Sequence, residues 1–225
     1  MLGFINQDIN EIVQNDIFNK LSKYIGCCCK RMNDDLLVKD EKVLNDENKI
    51  KNHLLECYLD DDQMRKESKM EMFRFIPEIP EGYSSINSIY KGRVDVKIIH
   101  QKESFGNRKA AYFIECKRVD GRKTLNRLYV EEGISRFVTD PPHYYSHYRR
   151  NFMLGFVVEN IDIHKNIERI ESIQAENPSI TCVRQFTQVN LSPNHYDSYY
   201  LLRDTSIQLR HIFADFSFNL VKKRD

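Results

Sequence analysis

Residues 152–158 read FMLGFVV, an apolar run of strand length without a single charge. Such a strand has no polar face to give to water, so it belongs in a sheet covered on both sides. Close behind it, Ile163, Ile167, Ile170 and Ile173 recur at three- and four-residue steps, the spacing of an amphipathic helix over 162–176, and Pro178 closes it. A doubly buried strand followed by a one-sided helix is a building unit of an α/β sheet.

The remaining pattern extends that unit. Ile9, Ile12, Val13, Ile17, Leu21 and Ile25 predict a helix over 6–25, and the period lapses over 26–41, which reads as a loop. A second helix is expected over 42–59, where Ile50, Leu54 and Tyr58 form a stripe. Glu47 precedes Ile50 by three residues and so sits near the buried face. Asp60, Asp61 and Asp62 oppose the dipole at a helix end, so the helix stops there. FRFIPE (73–78) reads as a short strand stopped by Pro77 and Pro80, followed by a turn-rich connection over 81–90. GRVDVKII (92–99) and AYFIECKRV (111–119) alternate as strands, joined by a polar stretch containing Gly106-Asn107. A helix over 124–138 turns Leu125, Leu128, Tyr129, Phe137 and Val138 inward, with Gly133 weakening its middle. Three further strands are expected at 181–189, 197–203 and 207–218. The fold class is α/β, a mixed sheet flanked by helices with additional C-terminal strands. Residues 1–42 form a helix-and-loop extension and 43–225 one domain.

Composition narrows the function classes. With 41% apolar and 30% charged residues the chain is ordinary globular protein. No apolar run reaches the roughly 20 residues of a membrane helix, and the N-terminus lacks a secretory pattern, so a cytoplasmic location is expected. The six cysteines, three of them consecutive at Cys27, Cys28 and Cys29, make no disulfide framework and no zinc knuckle. The histidines show no metal spacing, and neither a phosphate loop nor a dinucleotide fingerprint is present. Net charge is +1, yet residues 91–150 hold 14 Lys/Arg against 7 Asp/Glu. That local excess either attracts a polyanion such as nucleic acid or is a basic solvated surface.

Chemistry is concentrated in the same segment. Period-2 geometry places Glu115 and Lys117 on one face of a strand, with Cys116 turned away. Asp95 stands between Val94 and Val96 on the preceding strand, so pairing of the two strands sets Asp95 beside Glu115. Two adjacent carboxylates repel unless a cation separates them, and Mg²⁺ or Mn²⁺ prefers such oxygens. The plainer reading pairs Asp95 and Glu115 with Lys97 and Lys117 across the sheet. Glu47 is either a further acid at the cation or a solvated helix residue. In PPHYYSHYRR (141–150) aromatics mix with bases, which suits nucleic-acid contact by Arg149 and Arg150 or a packed surface loop. Tyr129 reads as core, and Arg136 either touches nucleic acid or stabilises a helix end.

GRVDVKI at 92–98 and YFIECKR at 112–118 resemble two motifs of the PD-(D/E)xK nuclease superfamily, which has the restriction-endonuclease-like fold. The resemblance covers roughly residues 43–160, and YVEEGISRFV (129–138) with FMLGFVV is similar to restriction and phage-defence members. Val94 stands where many members have proline. The resemblance implies a Mg²⁺- or Mn²⁺-dependent endonuclease acting on DNA. Asp95 and Glu115 would bind metal, Lys117 would be catalytic, and the Cys116 carbonyl and Glu47 would be further ligands. It also implies a homodimer or a partner subunit. A silent binding or assembly subunit of the same fold, and an RNase, are the alternatives.

Overall fold

The computed structural model describes residues 7–84, 89–107, 109–144 and 147–221. The chain opens with a 33-residue helix α1 (Gln7–Lys39), then a short β1 (Val43–Leu44) and α2 (Glu47–Leu54), which continues into a π-helical turn, Leu55–Leu59. There follow α3 (Asp62–Glu67), β2 (Phe73–Ser84), β3 (Ile89–His100), the short α4 (Gln101–Gly106) and β4 (Ala111–Val119). Helix α5 (Lys123–Tyr129) runs through a second π-helical turn, Val130–Ile134, into α6 (Ser135–Val138). The last third is β5 (Arg150–Val157), α7 (Ile163–Ala175), β6 (Cys182–Gln188), β7 (His195–Leu202), β8 (Thr205–Asp215) and β9 (Leu220–Val221).

Seven strands form one mixed sheet in the order β2-β3-β4-β5-β8-β7-β6. The central strands β4, β5 and β8 run parallel, and the flanking pairs are antiparallel. The charge-free run is the middle strand, and it is covered on both faces as expected. Phe152, Leu154 and Phe156 join the core under α1 and α2, whereas Met153 and Val157 join the core under α5 and α7.

Several expectations are corrected. Residues 26–39 are helix, not loop, because Cys28, Cys29, Met32 and Leu36 carry on the apolar stripe of Phe18, Leu21 and Ile25. Buried thiols behave there as small apolar residues. From Phe18 to Leu36 one face of α1 packs in the same core as β3 to β5. Helix α2 begins at Glu47 rather than 42, since the Asp46 carboxylate caps it by accepting from Asn48 N at 3.1 Å and Lys49 N at 3.2 Å. Strand β2 passes through Pro77 and Pro80 to Ser84. It is an edge strand, where a missing N–H needs no ladder partner. Of the expected 81–90 connection, 85–88 lie outside the described residues. The helical turn that ends at Leu59 stops just before the three acids, as expected, and Asp61 then caps α3.

Candidate functional site

The β3–β4 ladder runs from Ile99↔Ala111 to Val96↔Ile114. One residue further, the Asp95 side chain replaces the main chain as acceptor: its Oδ2 takes the Cys116 N–H at 2.8 Å. The two strands part there, and four elements send charged side chains to the fork. Glu115 is fully buried, and its Oε1 accepts from Arg136 of α6 at 2.6 Å and Lys117 Nζ at 3.1 Å. Its Oε2 accepts from the Tyr144 hydroxyl at 3.1 Å. Lys117 Nζ also donates to Glu47 Oε1 at 3.0 Å and to the Cys116 carbonyl at 2.9 Å. The second Glu47 oxygen accepts from Arg118 N at 3.2 Å.

A second ammonium faces Asp95. Lys51 of α2 is only 2% exposed and donates to Asp95 Oδ1, Glu78 Oε1 and Asn48 Oδ1, each at 3.1 Å. Glu78 stands on β2 between the Pro77↔Val96 and Ile79↔Val94 pairs with φ of 46°. A left-handed backbone at a residue with a Cβ is strained and is retained where the surroundings fix it. Here Lys51 and Arg93, the latter at 2.8 Å, hold both carboxylate oxygens.

The electrostatics follow from burial. Desolvation, helped by the Asp95 charge, pushes the Glu115 carboxyl up to about 7 against the pull of Lys117 and Arg136. For Lys117 burial opposes the charge, but Glu115, Glu47 and Asp95 outweigh it and hold the ammonium above its usual range. Lys51 and Arg136 are raised in the same way, burial being outweighed by Asp95 for the one and Glu115 for the other. Lys51, through its hydrogen bond, holds the Glu78 carboxyl below the usual carboxylate range.

Among the described residues no group of three or more His, Cys, Asp or Glu side chains is arranged to hold a metal ion. The oxygens at the fork are nevertheless of the kind a hard divalent cation prefers: carboxylates of Glu47, Asp95 and Glu115 and the Cys116 carbonyl. Three of the four surround the Lys117 ammonium at 2.9–3.1 Å. The donor chemistry therefore fits Mg²⁺ or Mn²⁺, with an ammonium as the present counterion.

The structure thus brings together Glu47, Asp95, Glu115, Cys116 and Lys117. Asp95 is held by Lys51 and the Cys116 N–H, while Lys97 stands over the Phe113 ring. Arg136 is turned onto Glu115 and Tyr144 and also pairs with Glu132 at 3.2 Å. Away from the fork, Arg149 is exposed with φ of 57°, and Arg150 pairs with Glu11 at 3.6 Å. Within PPHYYSHYRR, Tyr144 is buried at the site and Tyr148 stacks on Tyr112, whereas Pro141, His143, His147 and Arg149 are exposed and 145 and 146 lie outside the described residues. Sequence reasoning passed over Lys51, Tyr144 and Glu78. Lys51 had a signal, since it follows Glu47 by one helical turn and shares its face. Comparison with family models, curated proteins and solved structures returned no match.

Proposed function

We propose that the protein is a Mg²⁺- or Mn²⁺-dependent nuclease of the restriction-endonuclease-like fold that hydrolyses DNA phosphodiester bonds. The observation that carries this reading is the meeting of Asp95, Glu115, Lys117 and Glu47 at the fork between β3 and β4, all within reach of the Cys116 peptide. Phosphodiester hydrolysis needs a nucleophilic water and relief of the charge that builds on phosphorus oxygens. A divalent cation supplies an acidified water and that charge relief when bound. Asp95, Glu115, Glu47 and the Cys116 carbonyl would hold it. Lys117 would donate hydrogen bonds to the phosphate where negative charge develops. Arg136 and Tyr144 orient the Glu115 carboxylate, and Lys51 orients that of Asp95. The restriction or anti-phage setting rests on the resemblance of 92–98, 112–118 and 129–138. Cutting both strands takes two such centres, so a homodimer or a partner subunit completes the assembly.

A second reading is a nucleic-acid-binding or assembly subunit without turnover. It is favoured by one observation: both oxygens of Asp95, Glu115 and Glu78 already have donors within the protein. The test is incubation with plasmid, linear duplex, single-stranded DNA and RNA in Mg²⁺, Mn²⁺ or EDTA, beside Lys117→Ala. Cation-dependent cleavage of DNA that disappears in the variant is expected. Cleavage of RNA alone would make it an RNase. Binding without cleavage of any substrate would establish the second reading, and cleavage surviving in Lys117→Ala would place the chemistry elsewhere.

A further inference from the structure

The Lys117 ammonium has three oxygen neighbours: Glu47 Oε1 at 3.0 Å, Glu115 Oε1 at 3.1 Å and the Cys116 carbonyl at 2.9 Å. These are three of the four oxygen donors that the nuclease reading gives to the divalent cation. Two positive ions do not share such a cage, because like charges at that range repel strongly where water is excluded. We propose that Lys117 and the divalent cation are alternative occupants of one oxygen cage, and that a phosphodiester anion is the partner that receives the ammonium when it leaves. The inference rests on the nuclease reading for the identity of both cation and anion.

The cage is built to survive the exchange. When the ammonium moves away, Glu115 keeps Arg136 and Tyr144, Glu47 keeps the Arg118 N–H, and Asp95 keeps Lys51 and the Cys116 N–H. No carboxylate is left without a donor. The lysine stem has four rotatable carbons, so its head moves without the strand. Gly133, in the π-helical turn, lies beside the stem, since a Cβ there would be in ordinary contact with Lys117 Cγ at 3.4 Å. The cation therefore loads together with substrate, and the free protein is closed by its own side chain.

The experiment is calorimetric titration of Mn²⁺ into the full chain without nucleic acid, for the wild type, Lys117→Met and Lys117→Gln. Both variants are expected to bind Mn²⁺ roughly tenfold or more tightly than the wild type, since one buried like charge has been removed. Lys117→Gln keeps hydrogen-bond donors and serves if the methionine variant does not fold. Repeating the titration with dimethyl phosphate, the smallest phosphodiester anion, is expected to tighten wild-type binding more than that of either variant. Equal or weaker Mn²⁺ binding by folded variants would overturn the shared cage, as would an equal effect of dimethyl phosphate on all three proteins. The two readings fail separately. Wild-type DNA cleavage with no difference in Mn²⁺ affinity removes this inference and leaves the nuclease. The expected Mn²⁺ pattern without cleavage of any nucleic acid supports the cage and removes the nuclease.

Discussion

Two polar clusters lie in one row across the sheet, for Glu115 pairs laterally with Met153 and Met153 with His211. Both clusters are buried, and they are built differently. Around His211 every hydrogen-bonded partner is neutral: the ring joins Tyr129 at 2.9 Å and Ser198 at 2.7 Å, Ser198 joins Tyr200 at 2.9 Å, and Tyr200 donates to Gln174 at 2.7 Å. Burial pushes the His211 ring down to about 3, which keeps it uncharged at neutral pH. Around Glu115 the groups are ionic, with Glu47, Asp95 and Glu115 facing Lys51, Lys117 and Arg136. A satisfied neutral network costs little to bury, whereas each buried ion costs several kcal/mol unless its partners are well placed. Under the proposed nuclease reading, the difference between these neighbours has a use. The neutral cluster ties helices to strands, and the ionic one keeps charge at a fork where a phosphate and a cation would need it.

The strongest way to break this contrast is mutation of each cluster with a common readout. Lys117→Ala and Glu115→Gln are expected to reduce DNA cleavage by about 10²–10³-fold or more. Tyr129→Phe should leave kcat near wild type at a temperature where it is folded, while lowering the unfolding free energy by about 1–3 kcal/mol in urea titration. A cleavage defect of equal size in Tyr129→Phe would merge the two clusters into one functional unit.

Lys51→Met comes next. It leaves Asp95 and Glu78 facing each other without their shared ammonium. Removing one partner of a buried pair costs about 3–5 kcal/mol, and the partial exposure of Glu78 reduces that to about 2–3 kcal/mol. Chemical denaturation measures it, and an unchanged midpoint would show that Lys51 is there for chemistry alone.

Acid should act on the neutral cluster and on His195, whose ring is pushed down to about 4, by burial first and then by Arg210. Each ring is neutral in the fold and titrates near 6.5 when unfolded, so acid protonates the unfolded chain first. Each ring's contribution to stability is complete above about pH 6.5 and falls as the pH drops toward 4 for His195 and 3 for His211. Between pH 6.5 and 5 the expected loss is up to about 2 kcal/mol for each ring. Glu115, raised to about 7, acts in the opposite sense over the same range, so the histidine share is read as the difference between the urea midpoints of the wild type and His211→Gln against pH, and a difference that does not change with pH would contradict the neutral assignment.

The smallest effect lies at the surface. Lys20 and Asp16 pair at 2.8 Å on an exposed turn of α1. Lys20→Ala should shift stability by about 0.5 kcal/mol or less. A larger change would mean that charge matters on this protein even where water screens it.

The sheet and most helices were legible because their apolar periods are strong, and FMLGFVV alone placed the central strand. The site was legible to the extent that period-2 spacing puts Glu115 beside Lys117 and sets Asp95 opposite. What stayed hidden came from long-range contact. Nothing local says that Lys51 reaches Asp95, 44 residues away, or that Tyr144 closes over Glu115. The cysteines of α1 concealed a helix because their stripe is apolar only once buried. Gly133 read as a weak point in a helix, and what surrounds it is tertiary: a Cβ there would come within 2.5 Å of Met153 Cε, the flexible end of a side chain that would have to shift.

That glycine sits in the wide turn Val130–Ile134, which joins α5 to α6 with one residue more than a regular helix would use. Seen as chain length, the turn is an insertion that sets the phase of everything after it. Were the same five residues to wind as an ordinary helix, the extra residue would rotate α6 by about 100° relative to α5. The Arg136 guanidinium would then swing off Glu115, with every side chain of the site still encoded in the gene.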